Sequence, residues 1–303
     1  MKRVIMIILA LLLVAFVVDA GGFEDLTVKK SETIKKDLAF QGGDRTLEIN
    51  NIFGAIHLEG YDGKTVKLTT VKTIKAKSKE KLQNAQDEVK LAISIDGGDI
   101  VILVDGPFRK KDGRVEWNFK ERGYIVQYDF QLKVPRKTSI TLKTVSHGDI
   151  EVSGIEGKCV LNNVNDKIQV SDLNGDFDIH TVNGGIRVKG VTGSGTAHTV
   201  NGKVLVNFVK NPPKDCSFHT INGKLDIGFR PGLSANFKLK TFHGKIYSDF
   251  SAAYLPTSPE KGERKDGKFV YKSGGFQGIR IGKGGPTIKM DTLNGNIYIA
   301  EGE

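Results

Sequence analysis

The pattern of apolar and polar positions organises this chain more clearly than any single motif does. Phe177-Asp178-Ile179-His180 alternates apolar with polar, breaks at Asn183-Gly184, and resumes as Ile186-Arg187-Val188-Lys189. Alternation with a period of two on both sides of Asn-Gly predicts two short strands, each with one buried face, joined by a tight corner. Asn and Gly suit such a corner because both tolerate left-handed backbone. A second corner at Gly190-Val191-Thr192-Gly193 leads into the next strand pair.

The same unit recurs along the chain. It is present as Asn163-Val164-Asn165-Asp166, Thr181-Val182-Asn183-Gly184, Thr199-Val200-Asn201-Gly202 and Thr220-Ile221-Asn222-Gly223. Thr241-Phe242-His243-Gly244 and Thr292-Leu293-Asn294-Gly295 follow, and Asn51-Ile52-Phe53-Gly54 and Thr144-Val145-Ser146-His147-Gly148 are earlier, looser copies. Positions 166, 184, 202, 223 and 244 are spaced 18, 18, 21 and 21 residues apart. One strand pair cannot bury its own apolar face, whereas adjacent copies can, so a fixed period predicts a repeat architecture. The expected fold is all-β: a β-solenoid-like, β-helix-like stack of two-stranded repeats of about 18–21 residues. The units can wind as a helix or fold over as a roll or sandwich.

Stacking predicts ladders of equivalent residues at about 4.8 Å. Asn163, Thr181, Thr199, Thr220 and Thr241 form one expected column, turned inward beside the corner and bonding along the stack. Asn165, Asn183, Asn201 and Asn222 form an expected amide ladder.

Outside the regular repeats, residues 21–135 read as a β-rich N-terminal part that starts the solenoid, and 136–303 as the repeat part with a long insertion at 251–285. Ser78 to Gln86 predicts one short surface helix, with Ser78 able to cap it. Strands are expected at Val89–Ile95, Ile100–Val104 and Ile125–Val134, the last closed by Pro135. Residues 105–122 and 251–285 read as protruding loops or hairpins.

The first twenty residues add a compartment. Met1-Lys2-Arg3 precedes an uncharged run from Val4 to Val18, and Val18-Asp19-Ala20-Gly21 follows. A basic start, an apolar core and small residues before a break are the parts of a secretory signal peptide. Cleavage is expected after Ala20, since fifteen apolar residues fall short of the roughly 20 that a spanning helix needs; an uncleaved anchor is the alternative. The formal charge of +10 falls to +9 when Lys2, Arg3 and Asp19 leave with the segment. A basic exported protein meets anionic material, so the expected partners are anionic envelope polymers or glycans, with peripheral membrane contact open and no specific nucleic acid. Periplasm, cell surface and extracellular space all fit.

Several features together resemble the bacterial β-strand-repeat putative-adhesin family. They are the leader, the opening Leu47-Glu48-Ile49-Asn50-Asn51-Ile52-Phe53-Gly54, the Val134-Pro135 step, the Thr-Val-Asn-Gly units and Gly284-Gly285-Pro286-Thr287-Ile288 before the last copy. The resemblance spans nearly the whole chain beyond the leader. It implies an exported solenoid-like fold with an adhesive or envelope role, and it brings no catalytic residues. Asp166 in place of the corner Gly, and Phe53, Ser146 and His243 in place of the Asn, depart from the pattern.

Candidate chemistry is sparse. Cys159 and Cys216 fall on the inward face but three units apart, about 14 Å at strand spacing. A disulfide needs Cα atoms within about 7 Å, so unpaired core thiols are expected. His180, His198 and His219 each precede a column residue and predict an outward imidazole ladder, the one weak candidate for a transition metal. No Asp, Glu or Cys is expected in that column, whose neighbours are Asn162 and Lys240, and a plain polar surface ladder is the competing reading. Asp172, Asp176 and Asp178 lack the nonapeptide pattern of calcium-binding rolls. Gly282-Lys283-Gly284-Gly285 runs into Pro286 where a phosphate-binding loop would begin its helix. No serine-nucleophile elbow and no converging carboxylates appear, so no enzyme and no cofactor are assigned. The binding candidates are Arg109, Lys110, Lys111, Arg114 and Trp117 in one loop and Lys268 and Tyr271 in the other, where charge and aromatics interleave. The same residues also fit solvated hairpins packed back on the body. The function expected is an envelope adhesin-like binding or structural module; the alternatives are a self-associating scaffold and, behind it, a β-helical carbohydrate-active enzyme.

Overall fold

The computed structural model describes residues 26–40, 45–110, 115–116, 122–255, 263–265, 268–270 and 275–302, with only the backbone of 263–265 and 268–270. The expected leader, Met1–Ala20, lies outside these. Among the described residues no helix is long and apolar enough to cross a membrane.

The described residues are almost all β, with one helix among them, and build two large mixed sheets, neither of which closes. The first sheet runs through Val28–Ala39, Thr65–Ala76, Tyr124–Pro135, Ile56–Tyr61, Ile150–Glu156, Ile168–Asn174, Ile186–Val191, Val204–Phe208, Leu225–Phe229, Ile297–Glu301 and Ile246–Ser248. The second runs through Ala252–Leu255, Gln277–Ile281, Ala235–His243, Thr287–Asn294, Cys216–Asn222, Gly195–His198, Phe177–His180, Cys159–Asn162, Ser139–Lys143, Thr46–Asn50, Asp99–Asp105 and Lys90–Asp96. Each repeat unit supplies the second sheet with the strand before its corner and the first sheet with the strand after it.

Within the repeats, neighbouring strands are parallel and paired position for position: Ile168 with Ile186, Ile186 with Val204, and Val204 with Leu225. The apolar half of each alternation therefore forms continuous columns, and the two inner faces merge into one core. Phenylalanines bridge the sheets. Phe208 of the first sheet lies 6.5 Å from Phe177 and 6.4 Å from Phe218 of the second, and Phe229 of the first lies 5.7 Å from Phe237 of the second. Cys159, Phe177, Gly195 and Cys216 fall in one column, three strand spacings from end to end, and both thiols are buried and free.

The corners explain the repeated Thr, Asn and Gly. Each column Thr donates its hydroxyl to the corner carbonyl of the neighbouring unit, Thr199 to Gly184 (2.7 Å), Thr220 to Gly202 (2.9 Å) and Thr241 to Gly295 (2.8 Å); Thr199 and Thr220 are buried and Thr241 partly so. The amide ladder forms as expected, Asn183 donating to Asn165, Asn201 to Asn183 and Asn222 to Asn201 at 2.8–3.0 Å. The corner glycine has a different reason from the one its sequence context implies. Gly184, Gly202, Gly223 and Gly295 are not among the glycines with positive φ. A Cβ on Gly202 would instead fall 2.1 Å from the carbonyl oxygen of Gly184, and one on Gly223 1.9 Å from that of Gly202. Close approach of one unit's backbone to the next excludes every side chain there.

Both ends depart from sequence order. The column expected to pass from Thr220 to Thr241 passes instead through Thr292, which pairs with both. The last unit, Thr287–Glu301, is thus slotted one place in from the end. At the other end Thr46–Asn50 lies between Asp99–Asp105 and Ser139–Lys143, and Ile56–Tyr61 lies between Tyr124–Pro135 and Ile150–Glu156. Antiparallel strands flank these units: Gln277–Ile281 on Ala235–His243, Lys90–Asp96 on Asp99–Asp105, and Thr65–Ala76 on Tyr124–Pro135. Such pairing shields open edges that would otherwise recruit other strands.

The helix spans Lys79–Glu88, and the Ser78 hydroxyl accepts from Lys81 N as the sequence predicts. Its last turn holds no basic residue. Lys72, from the neighbouring strand and nearly buried, donates to the Val89 carbonyl at 2.9 Å and complements the negative helix end.

Candidate functional site

Side chains alternate across a strand, so every in-register column of outward residues becomes a row on the protein surface. On the first sheet one row reads His57, Glu151, Gln169, Arg187, Leu205, Asp226, Tyr298 and Tyr247. Two residues along each strand, Glu59, Ser153, Ser171, Lys189 and Asn207 form a second row. An open groove of about 730 Å³ runs over this face, lined by members of both rows together with Lys67, Thr69, Gln131 and Lys133.

The charges in the groove are unequally engaged. Glu59 lies 3.4 Å from Lys133 Nζ, while Glu151 accepts from Gln169 at 2.8 Å and lies 3.7 Å from His57. Arg187 and Lys189 are exposed, and neither makes an ion pair among the described residues. Beyond them the first row ends in an aromatic platform. Tyr247 and Tyr298 stack at 4.9 Å with an interplanar angle of 10°, and Lys224 Nζ sits 5.5 Å over the Tyr298 ring. From Arg187 to Tyr298 is three strand spacings, about 14 Å. One face therefore combines two uncommitted cations, hydroxyl and amide groups, and stacked rings.

On the outer face of the second sheet, His180, His198 and His219 are paired in register on adjacent strands, as the repeat predicts. Their ring centroids are 5.1 and 5.9 Å apart. The expectation that no acidic residue joins the column is overturned: Asp291 pairs with His219 and stands between it and Lys240. The inserted C-terminal unit brings it there. Asp178, two residues before His180, contacts that imidazole at 2.7 Å and accepts from the Thr196 hydroxyl. Burial, reinforced by the neighbouring His180 and His219, pushes the pKa of His198 down to about 4. Burial opposes ionisation of Asp178, yet its bonds from Thr196 and His180 hold that carboxyl below the usual range. Among the described residues no three ligand-type side chains converge on a common point.

Of the basic-loop candidates, Arg109, Lys110 and Lys268 fall among the described residues. The Arg109 guanidinium is turned into the fold, donating to the Val104 carbonyl at 2.7 Å and to the backbone and side-chain oxygens of Asn50 at 3.1 Å. Phe108 beside it is buried. Lys110 is exposed and pairs with Glu116 at 2.9 Å. Lys111, Arg114, Trp117 and Tyr271 lie outside the described residues, and Lys268 begins the short strand Lys268–Val270. The two surface rows of the first sheet were not singled out from sequence. The signal was present, because residues such as Arg187 occupy the middle position of the apolar-x-apolar triplet after the corner and residues such as Lys189 the position just after it.

No family model matches the chain, and no curated protein matches it. Three solved structures align over most of its length. A putative cell adhesion protein from Clostridium sporogenes is 14% identical over 90% of this chain and 100% of its own, with a TM-score of 0.33. A putative lipid binding protein from Parabacteroides distasonis is 12% identical over 89% of this chain and 97% of its own, with a TM-score of 0.36. A putative adhesin from Bacteroides fragilis is 13% identical over 89% and 97%, with a TM-score of 0.37. The resemblance to the β-strand-repeat family stays with the motifs that suggested it.

Proposed function

We propose that this is an exported, non-catalytic binding module of the bacterial envelope, adhesin-like in kind, whose two sheets wind as a flattened β-solenoid. Its ligand is an extended anionic glycan or envelope polymer, laid across the outer face of the first sheet. The observation that carries this reading is the alignment, on one face, of the unpartnered Arg187 and Lys189 with the Tyr247–Tyr298 stack. A sugar polymer offers such a surface carboxylate or phosphate groups at intervals and apolar ring faces between them. Charge attracts the chain from solution, and the stacked rings fix it in place.

The test is a binding titration of the chain against acidic and neutral polysaccharides at low and physiological salt. The double variant Arg187→Ser/Lys189→Ser should weaken binding of an acidic polymer about tenfold, the range of one or two partly screened charge contacts. Tyr298→Ala should weaken it at both salt concentrations, because stacking is not screened. Binding that both variants leave intact would sink the proposal. Release of shortened or unsaturated sugars during the titration would favour the enzyme alternative instead.

A further inference from the structure

We propose that the edge of the molecule where the Thr-x-Asn-Gly corners stack is a docking surface for an anionic phospholipid bilayer. Between each inward column residue and the corner Asn or His stands one apolar residue: Val164, Val182, Val200, Ile221, Leu293 and Phe242. None of the six belongs to the buried core. They are neighbours in that order. Val182 N donates to the Val164 carbonyl, Val200 N to that of Val182 and Ile221 N to that of Val200, at 3.2–3.3 Å. The pairing of Thr292 with both Thr220 and Thr241 sets Leu293 between Ile221 and Phe242. Five strand spacings make this a ridge about 24 Å long. Its first four residues are partly exposed, and the last two far more so, Leu293 at 46% and Phe242 at 68%.

The corners beside the ridge carry charge of one sign. Lys203, Lys224 and Lys245 follow the corner glycines, and the corners 181–185, 199–203, 220–224, 292–296 and 241–245 contain no Asp or Glu. Lys224 pairs with Asp226, while Lys203 and Lys245 are exposed and make no ion pair among the described residues. Asp149 and Asp166 stand at the far end of this edge, where Lys167 pairs with Asp149, and Asp291 on the second-sheet flank faces His219. The opposite edge, by contrast, mixes Glu156, Asp176 and Asp215 with its lysines. A ridge one side chain wide gives a rigid protein partner little to enclose, whereas a bilayer interface deforms around it. The apolar crests enter between headgroups, and the lysines reach lipid phosphates along their aliphatic stems. The Asn amides between ridge and lysines already bond one another, so few polar groups are stranded at the apolar boundary.

The experiment titrates the full-length chain with vesicles of phosphatidylglycerol or of phosphatidylcholine, read by an environment-sensitive dye attached at Leu293→Cys. Cys159 and Cys216 are buried and stay unlabelled in the native fold. A second labelled form, Val209→Cys, places the dye on the opposite edge, where Val209 is 54% exposed. Phosphatidylglycerol should shift the dye at position 293 to the blue and leave the dye at 209 unshifted. The apolar leader cannot produce that difference, because both forms carry it. Read from the dye at 293, Lys203→Ser/Lys245→Ser should weaken the interaction about twentyfold at low salt, about fivefold for each lysine. Phe242→Ser should weaken it about tenfold at low and physiological salt alike, because apolar burial is not screened. Circular dichroism checks that each variant is folded. No shift at 293, equal shifts at both labels, or an equal response to phosphatidylcholine overturns the proposal. A shift at 293 that grows with protein concentration in the absence of vesicles overturns it too, and assigns the ridge to a second copy of the chain. None of the substituted residues lines the polymer-binding face, so either proposal can fail without the other.

Discussion

The middle of the molecule and its two ends obey different rules. From Ile150 to Phe229, each unit lies beside the units before and after it in sequence, and pairing advances in steps of 18 or 21 residues. At the ends this order fails: Thr287–Glu301 sits between units that are adjacent in sequence, and Thr46–Tyr61 sits between two segments that both follow it. Yet the inserted C-terminal unit makes the same corner bonds as the middle ones. Thr292 donates to the Gly223 carbonyl at 3.0 Å, and Asn294 extends the amide ladder to Asn222 at 2.7 Å. A Cβ on Gly295 would meet the Gly223 carbonyl at 1.9 Å, just as one on Gly202 meets that of Gly184 at 2.1 Å. The corner is therefore an interchangeable connector. It decides that two units are compatible neighbours and leaves open which two they are.

The largest effect is expected at the corner glycines. Gly202→Ala in the middle and Gly295→Ala in the inserted unit should each destabilise the fold by about 3 kcal/mol or more, because in each case the new methyl group meets the backbone of the neighbouring unit. Gly232→Ala is the control: its φ is +77° but nothing lies within 4 Å, so it should cost only about 1 kcal/mol of backbone strain. Urea unfolding measures all three. A nearly silent Gly295→Ala beside a damaging Gly202→Ala would show that the inserted unit is not equivalent.

A smaller effect sharpens the same point. Thr220→Val and Thr292→Val each remove one buried hydroxyl and leave a corner carbonyl short of a donor, so each should cost about 1–2 kcal/mol by chemical denaturation. Similar values are expected in the two regions; a loss confined to Thr220 would assign the corner bond a role only where sequence order and spatial order agree.

The smallest effect is one of pH and is read at His198, in the middle. His198 has a folded pKa near 4 against about 6.5 when unfolded, so between these values the unfolded chain binds the extra proton and the folded chain does not. This contribution to stability should therefore be full above pH 6.5 and decline as pH falls toward 4. His198→Thr should flatten that part of the curve in thermal melts. An unchanged slope would show that other groups govern acid sensitivity.

Much of the fold is legible from the chain because the corner needs particular atoms. The hydroxyl of Thr199 and the amide of Asn201 have partners at fixed distances one unit away, so their recurrence reports neighbouring strands directly. The buried free thiols of Cys159 and Cys216 follow from the same count of units. The helix is equally legible, since Ser78 is followed by good helix formers. The basic loops were harder to read: Arg109 resembles a surface cation, but its guanidinium donates to Val104 and to Asn50, and Asn50 is brought beside it only by the pairing of Asp99–Asp105 with Thr46–Asn50. The reason for the corner glycine was also hidden, because close approach between backbones leaves no mark on local sequence beyond the glycine itself.

Alternation and corner chemistry determined by themselves that this chain forms short strand pairs with one buried face, aligned in register with pairs like themselves. Tertiary structure decided the order of the units, and with it which outward residues meet: Asp291 beside His219, and Tyr298 beside Tyr247. The physical reason is that strand pairing is made by backbone groups common to every extended segment, while side chains only admit or refuse a neighbour. Where several units carry the same admitting side chains, long-range packing makes the choice.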